Sequence, residues 1–313
     1  MTICLLLFVL ALMSVYASKE VNPPPIEKGE APFQVIGYLP EYRVAAFDPK
    51  TARSVTDIIY FSIQPEPSGD LKLGATVPGD LKKLQEIKKQ SGVRLLIALG
   101  GWERSEGFAP MTRDAQARGR FVEALTRFCL DNGLDGADFD WEHPANAAEE
   151  TAYAGLLEQV RQAFQPHQLL VSLTLATWQK PDQASFRAVD RVQLMSYDNE
   201  GRHATFAQAQ ADIDTFLRRG VPPQKLILGL PFYGRSIKDS HQDRTYADIV
   251  QQYHPHPSTD EAGGIYFNGI RTIQHKVQIA RQGGLGGVMI WELGQDTQDR
   301  SSLLGAIHQV LSK

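Results

Sequence analysis

Cysteine is almost missing: Cys4 and Cys129 are the only two in 313 residues, too few for a disulfide framework. No cluster of Lys and Arg stands out, and the net charge is −4, so the basic footprint of a nucleic-acid binder is lacking. Internal repeats, collagen-like periodicity and the composition of a disordered chain are absent as well. No Gly-rich turn follows the first apolar run: it leads into Gly37-Tyr38-Leu39-Pro40-Glu41-Tyr42, which cannot cradle a phosphate, and this argues against an open nucleotide-binding sheet. What is present is an ordinary globular mixture, 42% hydrophobic and 22% charged.

Residues 3–15 are almost wholly apolar, and Val15-Tyr16-Ala17 closes the run with a small residue. At about 1.5 Å per residue the run is short for an about 30 Å hydrocarbon core. Residues 1–17 therefore read as a cleaved export signal, with an uncleaved membrane anchor as the alternative, since no Lys or Arg precedes Lys19. Residues 18–32, with Pro23-Pro24-Pro25 among charged neighbours, read as a Pro-rich linker. The expected product is secreted or periplasmic, free of the membrane once cleaved, and monomeric. Cys129 would then be the sole thiol, set on a helix face among Phe121, Leu125 and Phe128 and inert through burial.

From residue 33 to the C-terminus, short apolar runs recur at 34–39, 57–63, 94–99, 136–141, 169–175, 191–196, 226–230 and 287–291. Several are apolar on both faces, the mark of parallel strands covered by helices. Amphipathic stripes lie between them: Tyr153, Leu157, Val160 and Phe164 form one, and Phe206, Ile213, Phe216 and Leu217 another, stopped by Gly220. Leu304, Ile307 and Leu311 carry a last helix. Eight β-then-α units predict a single (β/α)8 TIM barrel over residues 33–313.

Chemistry in such a barrel sits at the C-terminal ends of the strands. The fourth run ends Asp135-Gly136-Ala137-Asp138-Phe139-Asp140-Trp141-Glu142. Alternation puts Asp138, Asp140 and Glu142 on one face, about 6.6 Å apart, and Ala137, Phe139 and Trp141 on the other. The apolar face must meet the helices, so the acids point into the barrel. Three carboxylates there cannot all ionise cheaply, and one kept protonated is what a general acid requires. By the same alternation His143 should face away. A two-carboxylate retaining glycosidase needs its acid and nucleophile about 5–5.5 Å apart across the scissile bond. Asp140 and Glu142 leave one strand face and cannot easily flank a substrate. The nucleophile must come from another strand or from the substrate.

This motif resembles the signature of glycoside hydrolase family 18, the chitinase family, whose pattern is Asp-x-x-Asp-x-Asp-x-Glu. Ala98-Leu99-Gly100-Gly101-Trp102 resembles the family's third-strand Ser-x-Gly-Gly, with Ala98 in place of serine. Met195-Ser196-Tyr197-Asp198 resembles the sixth-strand motif, Leu230-Pro231-Phe232-Tyr233-Gly234-Arg235 the seventh and Gly287-Val288-Met289-Ile290-Trp291-Glu292 the eighth. With Ala98, a hydroxyl that bonds within the family's acidic cluster is missing. The short interval between Gly234 and Gly287 implies the branch without an α+β insertion, and a shallower groove.

The resemblance implies a substrate-assisted glycosidase acting on chitin or other N-acetylglucosamine-containing oligosaccharides, without cofactor or metal. Glu142 would be the acid and base, Asp140 would orient the substrate acetamide, Asp138 would share its proton, and Asp135 would support the start of the motif. Tyr197 would hold the attacking carbonyl, Asp198 would contact the sugar, and Trp291 would floor the subsite. Met195, Gly100, Gly101, Trp102, Tyr38, Tyr233 and Arg235 complete the expected binding set. Trp102, Trp178, Tyr38, Tyr233 and Arg235 either line further subsites or pack the rim. Rivals are an endo-β-N-acetylglucosaminidase and a silent chitin-binding lectin. His254 and His256, on a Pro-rich loop, have no fixed third ligand to make a metal site.

Overall fold

The computed structural model describes residues 32–239 and 242–313. The proposed signal and nearly all of the linker lie outside the described residues.

Eight parallel strands close into a barrel: β1 (Gln34–Pro40), β2 (Asp57–Pro65), β3 (Arg94–Gly100), β4 (Gly136–Asp140), β5 (Leu170–Ala176), β6 (Arg191–Met195), β7 (Leu226–Pro231) and β8 (Gly287–Trp291). Each pairs with its successor, and β8 returns to β1 with Gln34 beside Gly287. The predicted runs and the strands differ by at most two residues at an end, because a strand apolar on both faces leaves little choice of conformation.

Outward-facing Leu95, Ile97, Phe139, Leu173, Leu194, Leu228 and Ile290 are buried against the surrounding helices. A smaller cluster of Ile36, Ile59, Leu96, Ala98, Ile227 and Met289 fills the barrel interior. Side-chain caps start the helices at the intended points. Asp114 accepts from the Gln116 and Ala117 amides ahead of Ala115–Asp131, Asn146 from Glu149 ahead of Ala147–Phe164, and Thr205 from Gln208 ahead of Phe206–Arg218. Cys129 is fully buried on the first of these, and burial pushes its thiol up to about 12.

The crossover from β7 to β8 is short but built. Tyr233–Ser236, Asp243–Thr245, Glu261–Ala262 and Ile265–Tyr266 form a four-stranded antiparallel sheet with the helix Tyr246–Tyr253 beside it, before the helix Ile270–Gln282 leads into β8. Its first two strands carry Tyr233, Arg235 and Asp243 towards the barrel mouth.

At the opposite end, the strand starts meet in a charged knot. Asp57 at the start of β2 is fully buried and accepts from Arg191 of β6 (2.9 Å), Arg94 of β3 (2.8 Å) and the neighbouring Thr56 hydroxyl (2.6 Å). Removing one partner of a buried ion pair leaves the other charge uncompensated, at a cost of about 3–5 kcal/mol. Asp57→Ala should lose stability in that range in urea denaturation at neutral pH; a loss below about 1 kcal/mol would mean that Arg191 finds water instead.

Candidate active site

The C-terminal ends of the strands enclose a cleft of about 600 Å³. Nine of the sequence-predicted residues line it: Tyr38, Trp102, Asp140, Glu142, Met195, Tyr197, Asp198, Arg235 and Trp291. The acids face inward as alternation requires, while Trp141 turns outward, stacked on Phe108 with ring centres 5.2 Å apart.

Asp138 is completely buried beneath the cleft. Its Oδ1 accepts from Ser172 Oγ (2.5 Å) and Gln193 Nε2 (2.7 Å), and its Oδ2 from the Tyr38 hydroxyl (2.7 Å). Thr174 Oγ1 reaches both oxygens, at 3.1 and 3.0 Å. Strands β1, β5 and β6 thus supply the donors that Ala98 on β3 cannot. Burial raises the Asp138 carboxyl, and these hydrogen bonds oppose the rise.

Asp140 lies one step nearer the mouth with no such help. Its Oδ1 is buried without a hydrogen-bond partner. Burial, then the charges of Glu142 and Asp138, hold it well above the usual carboxylate range. Its surroundings therefore favour the protonated form over what a solvated carboxyl would show. Glu142 is partly buried; burial and the Asp198 charge push it up to about 7, where a general acid works near neutrality.

Across the cleft, Asp198 has a left-handed backbone, φ 66°. It accepts a very short hydrogen bond from the Tyr233 hydroxyl and pairs with Arg235 Nε at 3.1 Å. Arg235 is shared with Asp243 at 2.9 Å. The Tyr38, Phe61 and Trp291 rings form one aromatic wall, with centres 4.9–6.1 Å apart. Trp102 and Trp178 are largely exposed on the rim.

Four expected binding or support residues do not line the cleft. Gly100 and Gly101 are backbone devices: both have positive φ, and a Cβ would run into the Asp140 carbonyl at the first and the Phe61 ring at the second. The Gly101 amide also donates to the Asp140 carbonyl at 2.7 Å. Tyr233 stands behind Asp198. Asp135 is at the far end of β4, where its carboxylate takes Lys88 Nζ and the Leu95 amide, so it ties strands together and is remote from the acids' open end. Tyr38 proves to be both a wall residue and a donor to Asp138.

His143 corrects a further expectation. β4 ends at Asp140, so alternation does not extend to position 143. The imidazole lines the cleft, with its ring centre 4.5 Å from that of Trp178 and its Nε2 3.5 Å from Glu142. Sequence reasoning also missed Phe61, Thr174, Thr177, Asn199 and Asp243 in the wall. The signal for Thr174 was available: Ser172 and Thr174 are polar at alternate positions of an otherwise apolar strand. His256 is spent on a local bond to Ser258 at 2.7 Å.

The family model for glycosyl hydrolases family 18 matches residues 34–296. The chain belongs to glycosyl hydrolases family 18. Chitinase 1 of Aphanocladium album is 27% identical over 298 residues, spanning 76% of this chain and 70% of that protein. A family 18 chitinase from the chitin utilization locus of Flavobacterium johnsoniae superposes with a TM-score of 0.79 at 25% identity, covering 89% of this chain and 93% of its own. A chitinase from Bacteroides thetaiotaomicron shares the fold at a TM-score of 0.82 and 23% identity, over 89% and 96% of the two chains. This family 18 protein is a glycoside hydrolase.

Because Asp198 raises the Glu142 carboxyl, removing its charge should lower it. In ¹³C NMR titration of labelled enzyme, Glu142 should titrate near about 7, and the midpoint should fall in Asp198→Asn. A midpoint that stays put would assign the shift to burial alone.

Proposed function

We propose that this enzyme hydrolyses β-1,4 linkages between N-acetylglucosamine units of chitin or its oligomers, with the substrate's own acetamide as nucleophile. The observation that carries the reading is that Asp140, at the end of β4, and Glu142, two residues on, line the same cleft from one chain segment, while the other lining carboxylate near them, Asp198, is already engaged by Tyr233 and Arg235. A carboxylate so held is poorly placed to attack an anomeric carbon. The family resemblance and relatives named as chitinases support the same substrate class.

In this scheme a sugar stacks its apolar face on Trp291, beside Tyr38 and Phe61. Glu142 gives its proton to the leaving glycosidic oxygen as the C–O bond breaks. The acetamide carbonyl oxygen bonds to the anomeric carbon, forming an oxazolinium ion. Tyr197, buried at the cleft wall, donates to that carbonyl and holds it in line. Asp140 meets the acetamide N–H and, as positive charge develops, passes its proton to Asp138, so that its own carboxylate then faces the cation. Glu142, now ionised, removes a proton from water, which opens the oxazolinium at the anomeric carbon. Two inversions leave the β configuration. Met195, Trp102, Arg235 and Asp198 would complete the sugar contacts. Residues 1–17 would direct export, testable by N-terminal sequencing of the mature protein.

Glu142→Gln retains shape but has no proton to give, so turnover of chitin oligomers should fall by about 10²–10⁴-fold while oligomer binding persists. A variant within about threefold of wild type would remove Glu142 from the chemistry.

The nucleophile is tested on partly acetylated chitosan. Every new reducing end should carry an acetyl group, fully deacetylated chitosan should be inert, and NMR of the nascent product should show the β anomer. Deacetylated new ends would transfer the nucleophile to a protein carboxylate, and an α product would mean inversion. Cleavage of a high-mannose glycopeptide in place of chitin oligomers would move the substrate to glycoprotein glycans.

A further inference from the structure

Thr174 occupies an unusual position among the groups around the acids. It is the one residue that bonds both oxygens of Asp138 and also forms part of the cleft wall. Its hydroxyl lies 2.7 Å from the Tyr38 hydroxyl as well. Position 98, the strand partner of Asp138 on β3, is an alanine and brings no donor.

The donors around Asp138 can be counted. The Gln193 amide nitrogen has two, directed to Asp138 Oδ1 (2.7 Å) and to the Tyr38 oxygen (3.0 Å). With its oxygen so occupied, Tyr38 donates to Asp138 Oδ2. Ser172 donates to Oδ1. The Thr174 hydroxyl has either Asp138 oxygen within reach, and between it and the Tyr38 hydroxyl either can be the donor. Tyr38, Ser172, Thr174 and Gln193 thus offer Asp138 four donor groups, surroundings that suit an ionised acid. Asp140 Oδ1, by contrast, has no partner. Besides Glu142, the ionisable groups facing the pair are Tyr38, Tyr153 and Tyr197, whose hydroxyls burial keeps protonated. Among the described residues no cation pairs with Asp138.

From this geometry we propose that Thr174 is a positioning residue that holds Asp138 ionised and so keeps the shared proton on Asp140, at the face that meets substrate. No bond of Thr174 changes during turnover; the one proton it governs moves between two carboxyls. Without the Thr174 hydroxyl, Asp138 competes better for that proton, and Asp140 enters the reaction without it. The consequence for turnover rests on the chitinase reading above, whereas the proton placement does not.

The test uses enzyme with ¹³C-labelled aspartate carboxyls, assigned with Asp138→Asn and Asp140→Asn. Thr174→Val keeps the shape and removes the hydroxyl. Loss of one hydrogen bond to a charged group should raise the Asp138 midpoint by about one pH unit or more. Thr174→Ser should titrate like wild type. Adding Ala98→Ser to Thr174→Val offers a hydroxyl from the opposite neighbouring strand and should return the midpoint towards wild type. On chitin oligomers, kcat of Thr174→Val should fall about tenfold, with an altered pH profile, and Thr174→Ser should stay within about twofold. An unchanged Asp138 midpoint in Thr174→Val would overturn the proposal, as would Thr174→Ser behaving like Thr174→Val. If wild type cleaves no N-acetylglucosamine oligomer while the midpoints shift as described, the proton placement stands and the substrate assignment fails.

Discussion

Three carboxyl groups, Asp138 and Asp140 on one face of β4 and Glu142 just beyond its end, line the inside of a closed barrel, and their burial is the constraint to which the surrounding structure answers. An isolated ionised carboxylate in such a place would cost several kcal/mol. Asp138, deepest of the three, is met by donors from β1, β5 and β6 and by no cation. Asp140 has none of these, and burial with the charges of Glu142 and Asp138 favours its protonated form. Glu142, nearest the mouth, is only partly buried and lies across from Asp198. The depth of each residue along one strand thus sorts three chemically similar acids into a fixed anion, a proton holder and a titrating acid.

The two ends of the barrel solve the problem of buried charge in opposite ways. At the strand starts, Asp57 is neutralised by two arginines, an arrangement that holds strands together and is already satisfied. At the strand ends, neutralising arginines beside Asp138 and Asp140 would lower both acids and drive off the proton that chemistry needs. Hydroxyl and amide donors stabilise an anion with less effect on its neighbours, since they bring no net charge. That difference explains why tyrosine, serine, threonine and glutamine, rather than lysine or arginine, surround the acids.

Much of this was legible in the sequence, for identifiable reasons. Recurring apolar runs, several of them apolar on both faces, marked all eight strands, and period-two alternation oriented Asp138 and Asp140 correctly, because both signals are local. What local patterns could not give was the distance between segments far apart in the chain. Gly100 and Gly101 looked like substrate contacts and are instead sites where β3 approaches Asp140 and Phe61 too closely for a side chain. Asp135 belongs to the motif by spacing but sits at the other end of its strand, beside Lys88. His143 was misdirected because alternation was extended past the end of β4. Ser172, Thr174 and Gln193 were visible as polar residues in apolar strands, yet their significance depends on Asp138, and β6 lies two strands away from it.

The β7–β8 crossover connects this acid ladder to the rest of the rim. Its small antiparallel sheet pairs Asp243 with Arg235 and Thr245 with Tyr233, which places Arg235 between two carboxylates, Asp198 and Asp243. Sharing the guanidinium leaves net negative charge on that wall, and this is the sign needed to keep the Glu142 proton in place. Tyr233 meanwhile fixes the Asp198 carboxylate through its hydroxyl. The carboxylate whose charge adds to burial in raising Glu142 is therefore held in place by a tyrosine and an arginine from the short sheet after β7.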